Sequence, residues 1–169
     1  MPFTVKASAA SFQQCNNTNF STAGIDISKK FGKSSIGTYI GFGTSFEDNS
    51  TGAIVDLKGS TGYGNSCFSG GFRIRNNISQ NSQTIQFRVQ PLTVTVPINK
   101  KISLYSTPYV ATKLNYENGD ASTSVGNFTG ANIKLGKASL FVEGQIYDVT
   151  KINKNTTSIN VGVSIPINS

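Results

Sequence analysis

Polarity in this chain alternates residue by residue. Ile36, Thr38, Ile40 and Phe42 alternate with Gly37, Tyr39, Gly41 and Gly43. Ala138, Leu140, Val142, Gly144 and Ile146 alternate with Ser139, Phe141, Glu143, Gln145 and Tyr147. Near the end, Ile159, Val161, Val163 and Ile165 are set against Asn160, Gly162 and Ser164. Successive side chains of a strand point to opposite faces, so a period of two specifies β-structure with one apolar and one polar face. Helical periodicity is absent, and no apolar run approaches the roughly 18 residues that a membrane helix needs. The chain must therefore build a sheet, and its function depends on which face meets solvent.

The alternation predicts ten strands, at about 3–13, 20–31, 34–47, 52–62, 66–76, 84–98, 102–117, 125–135, 138–149 and 156–167. One set of connections is tight: Gly32-Lys33, Gly64-Asn65, Asn99-Lys100 and Gly136-Lys137. Gly and Asn tolerate the positive φ angles of two-residue hairpin turns. The other set, within 15–19, 48–51, 76–83, 118–124 and 150–155, is longer and polar. Up-and-down hairpins gather the turns at one end and the loops at the other, and an even strand number brings both termini to the turn end. At Gln90-Pro91 the apolar phase inverts, from Ile85, Phe87 and Val89 to Leu92, Val94 and Val96. Either a β-bulge restores the register there, or two short strands meet at a corner. Pro91, Pro97, Pro108 and Pro166 fall inside predicted strands, although proline cannot donate to a ladder and belongs at edges or bulges.

Composition narrows the function classes. The 169 residues are read as one domain, 1–169, and only 14% of them are charged, against about 25% in ordinary soluble domains. Soluble sheets protect themselves with charged outer faces, whereas here Gly, Ser, Thr and Asn fill the polar positions. The net charge of +7 is spread over scattered cations with no basic run and interleaved aromatics, so no nucleic-acid partner is expected. The chain has no histidine, which removes the commonest metal ligand and general base. No metal, cofactor or catalytic residue is assigned, and the chain is not expected to be an enzyme. The paired acids Glu47-Asp48 and Glu117 with Asp120 sit in or beside polar loops, where they cap turns. Gly41-x-Gly43 and Gly62-x-Gly64 precede no helix, so they are not phosphate loops. Cys15 and Cys67 lack metal-ligand spacing; one disulfide and two unrelated thiols both fit.

Tight turns at one end, longer loops at the other, dyad strands of about ten residues and low charge resemble the small bacterial outer-membrane β-barrels. The resemblance is architectural and covers the whole chain. It implies an all-β, antiparallel up-and-down barrel of eight to ten strands, porin-like, with membrane lipid as its partner and a bacterial outer-membrane location. A monomer is favoured. In such a barrel the outward set would include Ile25, Ile27, Ile36, Ile40, Phe42, Val55, Leu57, Phe72 and Ile74, and would continue through Val110, Ile133, Leu140, Val142 and Val161. The inward set would hold Lys6, Asp26, Asp56, Lys58, Arg73, Arg75, Arg88, Lys113, Lys134 and Glu143, with Gln86, Tyr105, Tyr109, Gln145 and Tyr147. Seven cations against three acids would leave a narrow, side-chain-filled interior positive. Arg73, Arg75, Arg88, Lys113, Asp56 and Glu143 are accordingly the candidate lumen charges, suited to passage of small anions or to a structural role. Aromatic residues gather near both strand ends, Phe12, Phe20, Phe46 and Tyr116 at the loops and Phe3, Phe31, Tyr63 and Phe68 at the turns.

The same alternation is open to the opposite assignment. With the apolar face inside, the chain would be a soluble all-β structural or binding protein: a virion component, a secreted sandwich, or a lipocalin-like carrier of an apolar ligand. Trp, favoured at membrane interfaces, is absent. Met1 to Lys6 lacks the layout of a secretory signal, so either export takes another route or the chain is a mature form. The burial of the two faces separates the readings.

Overall fold

The computed structural model describes residues 3–15, 18–45, 49–64, 67–79, 82–150 and 157–166, with the backbone alone for 3–15, 18–20 and 166. Ten strands follow one another: β1 (Phe3–Cys15), β2 (Thr18–Phe31), β3 (Ser34–Ser45), β4 (Thr51–Gly62), β5 (Phe68–Ser79), β6 (Gln83–Pro97), β7 (Ile102–Asn115), β8 (Ala121–Leu135), β9 (Ala138–Ile146) and β10 (Thr157–Pro166). Each pairs antiparallel with its neighbours in sequence, and β1 closes against β10 to complete a barrel. Closure leaves no sheet edge, so the ladder hydrogen bonds that an open sheet would leave unmade are satisfied around the whole circumference.

The tight turns use the residues expected of them. Gly32 and Gly136 have φ of 59° and 65° in two-residue connections from Phe31 to Ser34 and from Leu135 to Ala138. A glycine at the first central position is what a type II′ hairpin requires. At the β6–β7 turn the Asn99 side chain does the same work, its Oδ1 accepting from Lys101 N at 2.8 Å and Ile102 N at 2.9 Å.

At the loop end β1, β2, β5 and β8 reach further into the polar segments than apolar alternation implies, while β7 and β9 stop short. β1 and β2 pair as far as Cys15 with Thr18, so only residues 16–17 connect them. β8 begins at Ala121 rather than near 125, while β9 stops at Ile146 rather than near 149. Ladder bonds are made by the backbone, so Asn, Ser and Thr extend a hairpin without an apolar face to bury. Glu47 and Asp48 lie outside the described residues. Cys15 ends β1 at the loop end and Cys67 precedes β5 at the turn end.

The phase inversion at Gln90-Pro91 is a bulge within one continuous strand. From Val89 to Val94, β6 spends five steps where β7 spends four between Val110 and Ser106. From Gln90 to Thr93 it spends three where β5 spends two between Gly71 and Ser69. One extra residue on β6 thus returns Val94 and Val96 to the apolar face. Pro91 and Pro108 lie on opposite strands across this gap, so both prolines sit at a bulge, where a missing donor is tolerated. A second slip, between Ala9 and Phe12 against β10 and between Ser8 and Ser11 against β2, marks a bulge on β1 that the alternation did not predict.

The burial pattern is that of an inside-out protein. Among the described residues the only buried apolar side chains are Tyr109 and Ala111. Phe42 is 69% exposed, Val89 and Ile159 57%, and Ile25, Ile36, Ile40, Leu57, Leu104 and Val110 are exposed with them on the outer wall. Asp56, Arg88 and Gln145 are buried. The readings that place the aliphatic set at a dry centre, including the lipocalin-like carrier, fail on this observation. Tyr116, Phe31, Tyr63 and Phe68 are exposed near the strand ends, as a membrane barrel places its aromatic residues.

Candidate functional site in the barrel lumen

Five cations and three carboxylates line the lumen among the described residues: Lys58, Arg73, Arg75, Arg88 and Lys113 against Asp26, Asp56 and Glu143. The cavity they leave has a volume of about 1110 Å³. Lys134 is exposed near the turn between β8 and β9 rather than at the cavity wall. The Lys6 side chain lies outside the described residues.

The register explains the grouping. Arg73-Ile74-Arg75 on β5 and Gln86-Phe87-Arg88 on β6 each turn two polar side chains inward around one outward apolar residue. Two polar rungs result. One runs Asp26, Tyr39, Asp56, Arg75, Gln86 and Lys113 across six strands. The next runs Lys58, Arg73, Arg88 and Ala111.

Asp56, with no exposed surface, anchors the first rung. Arg75 grips it with both arms of the guanidinium, Nε to Oδ1 at 2.8 Å and Nη2 to Oδ2 at 2.9 Å. Arg73 Nε stands 3.3 Å from the same Oδ2. This bidentate, charge-assisted pairing is the strong form of a carboxylate contact, and two guanidiniums share one acid. Lys58 pairs with Asp26.

Across the lumen the acid is differently engaged. Glu143 on β9 accepts from Tyr105 Oη at 2.8 Å and from Asn160 Nδ2 at 3.3 Å. Gln145 Nε2 donates to Tyr109 Oη at 2.7 Å, and Tyr109 Oη donates onward to the Ile146 carbonyl at 3.2 Å. The cations therefore crowd on β4–β7, while the facing wall on β7–β10 presents Tyr105, Phe128, Phe141, Glu143 and Gln145.

Arg88 is the exception among the arginines. It is 5% exposed, yet among the described residues no carboxylate lies within ion-pair distance. Its guanidinium carbon is 4.2 Å from the Tyr109 ring centroid and 5.9 Å from that of Phe128, and Nη2 donates to Gln86 Oε1 at 3.2 Å. Nε has no partner.

The sequence reading brought together Arg73, Arg75, Arg88, Lys113, Asp56 and Glu143, and all six line one cavity. It overlooked Phe128. The signal was present: in Gly126-x-Phe128-x-Gly130 an aromatic sits on the polar phase between two glycines, the spacing of a ring with small neighbours on the same face. Glu117 and Asp120 serve the β7–β8 loop, Asn118 Nδ2 donating to Asp120 Oδ2 at 2.6 Å and Glu117 N to Asn115 Oδ1 at 2.9 Å.

No family model and no curated protein matches the sequence. Solved structures match in fold. The translocator domain of the autotransporter NalP from Neisseria meningitidis is 12% identical, with a TM-score of 0.50 over 96% of this chain and 86% of that one. The KdgM porin is 14% identical, with a TM-score of 0.47 over 98% and 99%. OmpT, an outer membrane protein of Vibrio cholerae in its trimer form, is 12% identical with a TM-score of 0.43; 88% of this chain aligns, but only 56% of OmpT. The chain thus spans about half the length of the OmpT structures it matches. The fold is that of an outer-membrane β-barrel.

Proposed function

We propose that this chain is a non-enzymatic integral barrel of a bacterial outer membrane, whose narrow and positively charged interior passes small anions. One observation carries the reading: aliphatic side chains cover the outer wall, while the buried charges lie inside with cations in excess. Only hydrocarbon makes an exposed aliphatic wall favourable, because in water that area would drive aggregation. Ten strands leave little free cross-section once side chains fill the interior, so conduction is slow and governed by charge rather than by size alone. The lumen acids are each engaged by arginine, lysine or tyrosine, an arrangement that holds the wall rigid rather than poising an acid and a base for chemistry.

The test is reconstitution into planar bilayers under a potassium chloride gradient. The expected reversal potential is that of an anion-preferring conductance. Combined replacement of Arg73, Arg88 and Lys113 by Gln removes the preference in barrels that still show heat-modifiable mobility on gels. A cation preference, or a wild-type protein that stays monodisperse in buffer without detergent, overturns the proposal. Bilayers that remain silent with a folded barrel present would assign it a structural role instead.

A further inference from the structure

We propose that Arg73 and Arg88 form a discrete binding site for one oxyanion, the phosphate, sulfate or carboxylate group of a small solute entering the lumen. The inference rests on the proposed pore only in that the solute arrives through the barrel ends. Arg73 and Arg88 are direct cross-strand partners on β5 and β6, both facing inward. Like charges directly opposite each other in a sheet repel, and such a pair persists where something negative lies between or beside it. Asp56 supplies that for one side alone. Its two oxygens already hold the fork of Arg75 and the Nε of Arg73. Among the described residues Arg88 meets an amide oxygen and two ring faces, and its buried Nε is left without a hydrogen-bond partner.

A buried donor without an acceptor costs free energy that a ligand can recover. The geometry selects the ligand class. Guanidinium forks match oxyanions, whose oxygens accept two parallel N–H donors, whereas a halide offers a single point. Tyr109 holds the plane of Arg88 in place from one side, its own hydroxyl fixed by Gln145 and the Ile146 carbonyl. The fork is thus oriented before the anion arrives, which lowers the entropic cost of binding.

The experiment titrates inorganic phosphate into the folded barrel in a nonionic, lipid-free detergent at constant ionic strength, and follows heat by calorimetry. Saturable binding of one phosphate per barrel is expected, weakened about tenfold or more in Arg88→Gln, the equivalent of losing one charge-assisted hydrogen bond. Lys134→Gln removes the same charge near the β8–β9 turn, away from the cavity wall, and is expected to change the affinity by less than about threefold. Equal weakening by both variants, or no saturable binding to the wild type, overturns the site. Should Arg88→Gln fail to fold, Arg88→Lys keeps the charge and loses the fork; phosphate binding is expected to fall in barrels that keep heat-modifiable mobility. Unchanged phosphate affinity in Arg88→Lys also overturns the proposal. A barrel that binds phosphate but does not conduct refutes the pore and leaves the site standing; one that conducts chloride without saturable phosphate binding does the reverse.

Discussion

Tyr109 shows how single residues hold this barrel together from within. The side chain is 1% exposed, its ring carries the Arg88 guanidinium, and its hydroxyl is hydrogen-bonded on both sides. This is possible because Gly126, its cross-strand partner, has no Cβ: one placed there would collide with the Tyr109 ring and with the Ile146 carbonyl. Gly126→Ala is therefore expected to destabilise the folded barrel by about 1–3 kcal/mol, the usual cost of overpacking, as measured by urea unfolding in detergent. Gly144 supplies the control. A Cβ there would meet only the Thr129 carbonyl, at 3.9 Å, so Gly144→Ala should stay within about 0.5 kcal/mol of wild type. If the two variants behave alike, close packing of ring on glycine is not what Gly126 provides.

At the scale of the element, β6 carries the most informative irregularity. Its bulge lets one strand begin on one apolar phase and finish on the other while remaining paired on both sides. The residue count sets the register, and the proline ring does not. Inserting one alanine after Pro91 adds a second extra residue, turns Val94 and Val96 toward the lumen and Thr93 and Thr95 toward the outer wall, and should abolish the heat-modifiable folded form. Pro91→Ala keeps the count and adds a donor where the ladder is already open; it should fold, with a change of about 1 kcal/mol or less. The comparison is read on unheated gels after refolding. An insertion variant that refolds normally would show that β6 tolerates either phase.

For the whole molecule, the exchange of inside and outside decides what solvent the barrel requires. Val142 stands at the centre of β9 on the outer wall and is 40% exposed. Val142→Arg is expected to cost about 2–4 kcal/mol in lipid vesicles, the price of a cation near the bilayer midplane. Ser60→Arg, on the lumen-lining phase near the turn end, should cost no more than about 1 kcal/mol. Urea titration of folding into vesicles reads both. An outer-wall arginine tolerated as well as the lumen one would mean that this wall does not face hydrocarbon.

The ten strands, the hairpin turns at Gly32 and Gly136, the bulge near Pro91 and the membership of the two faces were all legible in the sequence. Each follows from a local rule: a period of two, a φ that glycine tolerates, or a phase that must be restored. The β1 bulge escaped because Ala and Ser dominate there and mark no apolar phase to invert. Strand ends were misjudged where backbone pairing continues through polar residues. What local rules left undecided was which face lies inside, since alternation is unchanged when the two are exchanged. Closure of β1 on β10 gives the sheet a concave side, and the tertiary structure lines it with charges that pair across strands while the aliphatic set covers the outer wall. The partnering of Asp56 with two arginines, and the placing of Arg88 against the Tyr109 ring, exist only in that closed geometry. Residues 19 and 32 positions apart along the chain meet there as ion pairs, and a linear sequence carries no record of which charges will be near enough to pair.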